Sequence, residues 1–303
     1  MIGIDLFSGG GGTTLGATSA GVKMAWAGNH NPIAVATHQL NHPETIHVCQ
    51  DLHQADWSIV PKHDILFASP CCQGHSKAAG KGIHTVKADK SRSTAWAVVS
   101  CLEAHRSTAF VIENVREFMS WRLFTPWVMA LELLGYSLSY NKLNARNFGV
   151  AQNRERLFII GTRTKSPIKI DWQNQPEIAA STLLDLDGEH QWDDVANRVL
   201  ATQNRVKNGR AEFGSVFLDA AYGSERSGRS IFKPLGTITT VNKHSLVVED
   251  RIRPLSIKEL ARGQSFPDHY LWPTSKTATK SMIGNAVPPK LMCEVVRHLQ
   301  QYI

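Results

Sequence analysis

The chain has 303 residues, 42% of them hydrophobic and 19% charged, with a net charge of +7. That balance is ordinary for a globular protein, and without a run of about 18 apolar residues a membrane span is not expected. MIGIDLFSGGGG lacks the basic start and small-residue cleavage site of a secretory signal, and the positive surplus is compatible with a nucleic-acid partner.

In chain order, IGIDLF reads as a strand, followed by a glycine turn and a helix from about Thr13. MAWAG is a second strand, and PIAVATHQL a helix with Pro32 in its first turn, where proline is tolerated. DILFAS is a third strand, TAWAVVSCLEA a helix, STAFVIEN a strand, WVMALELLGY a helix and RLFIIGT a buried strand. This alternation predicts an α/β fold with a parallel-type sheet covered on both faces.

The pattern changes after Arg163. From about Thr164 to Asp250 the chain is rich in Gly, Asn, Ser, Asp and Gln, with short apolar runs SVFL, TITTV and SLVV. A smaller, loop-rich domain with short strands is expected there. LSIKELARGQSF restores helical spacing, with Ser256 and Glu259 in a capping-box pattern, and KLMCEVVRHLQQYI is a last helix after Pro288-Pro289.

Five cysteines, Cys49, Cys71, Cys72, Cys101 and Cys293, form no C-x-x-C pair and no zinc-like spacing. They read as reduced thiols of a cytoplasmic protein, and no metal site is expected.

Four stretches have residue types suited to chemistry. Asp5-Leu6-Phe7-Ser8 followed by Gly9 to Gly12 lies at the carboxyl end of the first strand, where α/β sheets hold ligands. Ser69-Pro70-Cys71-Cys72-Gln73-Gly74-His75-Ser76 follows the third strand, and either cysteine could be a nucleophile or a packed thiol. Glu113-Asn114 ends another strand, as a hydrogen-bonding carboxyl group or a helix-capping pair. Gln152, Arg154 and Arg156 alternate, which in an extended segment puts them on one face, for a planar polar ligand or for solvent.

Taken together with Val115, Asn153 and Glu155, Arg253-Pro254-Leu255-Ser256 through Phe266-Pro267-Asp268, and Gly284-Asn285-Ala286-Val287-Pro288, these stretches occur in a fixed order. The chain resembles the C5-cytosine DNA methyltransferases, whose motifs run D-L-F-x-G-x-G-G, P-C-Q-x-x-S, E-N-V, Q-x-R-x-R, R-x-L-T/S…F-P-D and G-N-A-V-P. The likeness spans almost the whole chain except its middle.

The resemblance implies a Rossmann-like sheet that binds S-adenosylmethionine, with a smaller, loop-rich target recognition domain. It implies domains at 1–163 (catalytic and cofactor-binding), 164–250 (target recognition) and 251–303 (returning to the catalytic domain). Counting from Asp64, Pro70 and Cys71 fall on the family's two prolines and Cys72 on its nucleophile, which adds to C6 of cytosine so that C5 takes the methyl group. Glu113 falls on the residue that contacts N3 and the exocyclic amine of a cytosine flipped out of the duplex, and Arg154 and Arg156 on those that hold the base and a nearby phosphate.

For the cofactor, the resemblance points to Asp5, Phe7, Ser8, Gly9, Gly10, Gly11, Gly12, Asp51, Leu52, Pro70, Asn285, Ala286 and Val287. Asn29 and His30 stand where an acidic residue usually meets the ribose hydroxyls, and an asparagine there lacks the charge. His75 replaces a common phenylalanine. DNA contacts are expected from Gln73, Ser76, Lys77, Lys81, Gln152, Arg205, Arg210, Arg226, Arg229 and Thr239. Double-stranded DNA is the expected partner of a monomer, with a cognate restriction endonuclease and a bacterial or phage origin as family expectations. A tRNA cytosine methyltransferase and a catalytically silent DNA-binding relative are the rival readings.

Overall fold

Ile2–Leu6 (β1), buried from Gly3 onward, is an inner strand of the first sheet, third from one edge. The computed structural model describes residues 1–71, 94–186, 188–223 and 225–303. On one side β1 pairs in parallel with Lys23–Asn29 (β2), and β2 with Ile46–Cys49 (β3). On the other it pairs in parallel with Ile65–Ala68 (β4), and β4 with Ala109–Asn114 (β5). Ser137–Asn144 (β6) and Glu155–Thr162 (β7) pair antiparallel to each other, and β7 runs antiparallel to β5. The order is therefore β3-β2-β1-β4-β5-β7-β6.

Apolar runs fill the middle of this sheet because its strands are covered on both faces: every residue of β4 and β5 is buried. The two edge strands, β3 and β6, were not expected from sequence. β3 has no fully buried residue and β6 buries just Leu138 and Leu143, so neither shows a continuous apolar run.

Helices Gly12–Ser19 (α1), Pro32–Asn41 (α2), Ala95–His105 (α3) and Phe124–Leu133 (α4) follow β1, β2, the segment after Cys71, and β5. Asn31 caps α2 through Ile33 N and Ala34 N, with Pro32 in the first turn. α3 buries Ala97, Val98, Cys101 and Leu102, and burial pushes the Cys101 thiol pKa up, leaving a packed and unreactive group. Pro289–Leu299 (α8) buries Leu291, Met292, Val295, Val296 and Leu299. It comes so close to α1 that a Cβ on Gly16 would lie 2.5 Å from the Pro289 carbonyl oxygen and 2.7 Å from Met292 Cβ.

The chain forms two compact units. The first comprises Met1–Asn144, Glu155–Gln173 and Val287–Ile303; the second comprises Ala145–Arg154 and Asn174–Ala286. Arg251–Ala286 thus lies in the second unit, and the returning segment begins at Val287.

In the second unit, Asp193–Asp194 (β8), Val216–Ala220 (β9), His244–Val248 (β10) and Arg251–Pro254 (β11) form an antiparallel sheet in the order β8-β11-β10-β9. Leu200–Phe213 (α5) covers it, with Val206 against Phe217, Val247 and Ile252. This helix lies in the region expected to be loop-rich; only Val206 and Gly209 on it are buried, so its sequence carries little apolar periodicity. TITTV, expected as a short strand, lies outside the named strands. Ile257–Gly263 (α6) opens with the Ser256–Glu259 capping box, and the same Glu259 carboxylate takes Arg253 at 2.7 and 2.8 Å. Lys276–Asn285 (α7) completes the unit. Among the described residues no helix is long and apolar enough to cross a membrane.

Candidate active site

In the first unit, the candidate cofactor residues stand at the carboxyl ends of β1, β2 and β3. After β1 the backbone turns left-handed at Phe7 (φ 61°), Gly9 (φ 53°) and Gly11 (φ 90°). Gly11 N–H donates to Ser8 O and Ser8 N–H to Gly28 O, so the turn is tied to its own crest and to β2. α1 then opens with Gly11 at its N-cap and no side-chain cap.

Asp5 at the foot of this turn is 1% exposed. Its Oδ2 accepts from the Thr14 hydroxyl at 2.9 Å, while its buried Oδ1 has no hydrogen-bond partner. Burial raises its pKa to about 7, against the lowering effect of Thr14. A glycine turn leading into a helix without a side-chain cap, beside an orphaned carboxylate oxygen, fits a ligand bearing a carboxylate and an ammonium group, as S-adenosylmethionine does.

Asn29 ends β2, 7% exposed, and its Oδ1 accepts from Asn31 N at 2.9 Å. His30 is exposed. Asp51 is exposed and its Oδ1 accepts from His53 N, capping the short turn in which Leu52 is buried. Asn285, Ala286 and Val287 straddle the boundary of the units; Asn285 is exposed, and Ala286 and Val287 are buried.

Of the candidate catalytic groups, Glu113 stands at the carboxyl end of β5 and Arg156 at the start of the antiparallel β7, on the sheet edge where β4 also ends. Pro70 is buried, and its carbonyl accepts from Asn114 Nδ2 at 3.1 Å. Asn114 Oδ1 in turn accepts from Val115 N at 2.8 Å. Cys71 N–H donates to the Thr94 hydroxyl at 3.1 Å, which joins the residues flanking 72–93. Cys72, Gln73, His75, Ser76, Lys77 and Lys81 lie outside the described residues. Glu113 is 6% exposed, and its Oε1 lies 3.3 Å from Arg156 Nε.

Sequence reasoning underrated Asn114, which anchors Pro70, and missed Thr94. The signal for Asn114 was its place beside Glu113 at a strand end; Thr94 carried none.

In the second unit, two expectations need correction. Gln152, Arg154 and Arg156 do not share one strand: β7 begins at Glu155, and Gln152 forms an isolated bridge with Leu235. Gln152, expected to contact DNA, is fully buried. Its Nε2 donates to Gly263 O and Gln264 Oε1, and its Oε1 accepts from Ile238 N. Arg154 is 2% exposed and donates through Nη1 to Ile238 O at 3.1 Å. With Thr237 Oγ1 donating to Asn153 O, these residues strap the Thr237–Thr240 segment down. Thr239 is half-buried, and its hydroxyl donates to Val241 O.

Arg205, expected to contact DNA, has an internal partner. It is bidentate with Asp219 at 2.7 and 3.0 Å, with Asp219 buried, which makes it an internal brace between α5 and β9. Arg210 is paired with Asp250 at 2.8 Å and donates to Glu249 O. Arg229 pairs with Glu225 and lies 5.4 Å from the Tyr222 ring. Arg226 is exposed.

The sequence profile of the C-5 cytosine-specific DNA methylase family matches residues 1–301. Type II methyltransferase M1.ScrFI of Lactococcus lactis subsp. cremoris is 29% identical over 94% of this chain and 74% of its own length. Type II methyltransferase M.NlaX of Neisseria lactamica is 28% identical over 94% of this chain and 91% of its own. The structure of the Entamoeba histolytica methyltransferase EhMeth superposes with a TM-score of 0.72 at 16% identity, covering 99% of this chain and 98% of that one. With its glycine turn, its carboxyl-edge Glu113 and its ordered motifs, the chain belongs to the C-5 cytosine-specific DNA methylase family.

Proposed function

We propose that this methyltransferase acts on cytosine within a specific duplex DNA sequence, with Cys72 as the nucleophile, Glu113 on the base and the glycine turn after β1 as the methyl-donor site. The observation that carries the reading is the alignment of β1, β4, β5 and β7, whose functional ends share one edge of one sheet. The donor, S-adenosylmethionine, supplies an electrophilic methyl group. The chain must supply everything else.

C5 of cytosine is a poor nucleophile. Addition of the Cys72 thiolate to C6 makes C5 electron-rich; after methyl transfer, loss of the C5 proton expels the thiolate and restores the ring. Asn114 and Thr94 support this role by fixing Pro70 and Cys71, the two residues immediately before the nucleophile. Glu113, when protonated, donates to N3 and draws electrons from C6; ionised, it accepts from the exocyclic amine. The Arg156 guanidinium holds that carboxyl group in place. The base reaches such an enclosed carboxyl group only after leaving the duplex stack.

Readout of the DNA sequence is assigned to the second unit, with Arg226 and the strapped Thr237–Thr240 segment as its candidates. A monomeric state, a cognate endonuclease and a bacterial or phage cytoplasm are part of the same proposal, the last two drawing on the type II names of bacterial relatives.

The test is transfer of a labelled methyl group from S-adenosylmethionine to duplex DNA. Cys72→Ser is expected to abolish it and Cys71→Ser to retain it; the reverse result overturns the assignment of the nucleophile. Methylation of tRNA in preference to DNA overturns the substrate. Bisulfite sequencing of DNA from expressing cells reads out the recognition sequence.

A further inference from the structure

Behind the glycine turn lies a chain of polar side chains that the methyl-transfer chemistry leaves unused. His38 is in the last turn of α2 and His42 just beyond it, with ring centroids 4.7 Å apart. His38 Nε2 lies 3.0 Å from Thr14 Oγ1, whose hydroxyl donates to Asp5 Oδ2. On its other side, His38 Nδ1 lies 2.7 Å from Nε2 of His47 on β3. His42 hydrogen-bonds to the backbone of Gly11, the left-handed residue that starts α1. His38 and Thr14 are fully buried and Asp5 is 1% exposed.

Both ring nitrogens of His38 therefore have a side-chain partner, Thr14 on one side and His47 on the other, so the ring is held at both ends. Burial first, then the neighbouring His42 and His47, hold its pKa well below the ordinary histidine range, which keeps it neutral.

We propose that His38 is a positioning residue of the methyl-donor turn, fixing Thr14 and through it Asp5 at the foot of the turn while His42 grips Gly11 at its crest. The inference rests on the reading of this turn as the donor site. Asp5 carries the one orphaned buried oxygen of the turn, so a small rotation of its carboxyl group changes what it offers a ligand. Thr14 alone leaves that rotation loosely held; a threonine hydroxyl braced by a buried imidazole does not.

The experiment is calorimetric titration of the full chain with S-adenosylhomocysteine, beside steady-state kinetics on duplex DNA. His38→Leu is expected to weaken S-adenosylhomocysteine about tenfold, the factor equivalent to about 1.4 kcal/mol. The donor KM should rise in step, with kcat and the DNA KM held within about twofold. His38→Gln, whose amide can reach Thr14 as Nε2 does, should recover affinity to within about threefold. His38→Asn, whose shorter amide reaches toward His47 instead, should not.

If His38→Leu fails to fold, the contrast between His38→Gln and His38→Asn decides the matter. Equal affinities for wild type and all variants overturn the positioning role, as does a common fall in donor affinity, DNA affinity and melting temperature. Wild-type protein that binds no S-adenosylhomocysteine, or binds it unchanged after substitution in the glycine turn, overturns the reading of the turn itself.

Discussion

Arg156 Nε lies 3.3 Å from Glu113 Oε1, joining the start of β7 to the end of β5 across an antiparallel pair. Both side chains are largely enclosed, 18% and 8% exposed. Glu113→Gln keeps the shape but loses the acid, and kcat is expected to fall by about a hundred- to ten-thousandfold with little change in melting temperature. Arg156→Ala strands a carboxylate, and should cost about 2 kcal/mol in stability as well as activity, less than the roughly 3–5 kcal/mol of a fully enclosed pair. Urea melts beside single-turnover rates separate the two effects.

Asn114 spends its donor on Pro70 and its acceptor on Val115. Asn114→Asp retains the acceptor and loses the donor, so it should behave like Asn114→Ala. Both are expected to lower kcat about tenfold while S-adenosylhomocysteine binding stays at the wild-type level. Burst kinetics on duplex DNA, with calorimetry for the cofactor product, read this out. An Asp variant as active as wild type would show that Pro70 needs no anchor.

The arginines of the second unit should divide sharply. Arg205→Ala breaks the bidentate contact with the buried Asp219 and is expected to destabilise the fold by about 2 kcal/mol. Arg226→Ala should leave stability unchanged, weaken DNA binding and reduce its salt slope by about one counterion. Thermal melts and DNA titrations across salt concentrations distinguish a brace from a phosphate contact.

His244 on β10 is 2% exposed, and burial, with Arg229 also lowering it, brings its pKa down to about 4. The unfolded chain therefore binds more protons below pH 6.5. Stability from this group is fully present above about pH 6.5 and is lost as the pH falls toward 4, by roughly 3 kcal/mol. His244→Gln should lose that much less between pH 7.5 and pH 4.5 in urea titrations. Parallel slopes would remove His244 as the cause.

The inner strands were legible because burial on both faces leaves an apolar run, and the functional ends because glycine, cysteine and carboxyl groups cluster after those runs. β3 and β6 were not, since an edge strand needs only half its residues apolar. The internal partners of Arg205 and Gln152 were hidden for a different reason. An arginine or an amide among polar neighbours looks the same in sequence whether it meets a phosphate or a buried partner; Asp219, 14 residues away from Arg205, and Gly263, 111 residues away from Gln152, decide it. The histidines behind the donor turn were invisible likewise, being brought together by α1, α2 and β3.

The packing of α8 on α1 joins the last helix of the chain to the first, through contacts that Gly16 alone permits. The support behind the helix that leaves the donor turn therefore comes from a segment that re-enters the first unit after the whole second unit. An enzyme cut at the boundary before Val287 should be silent until the missing helix is supplied in trans.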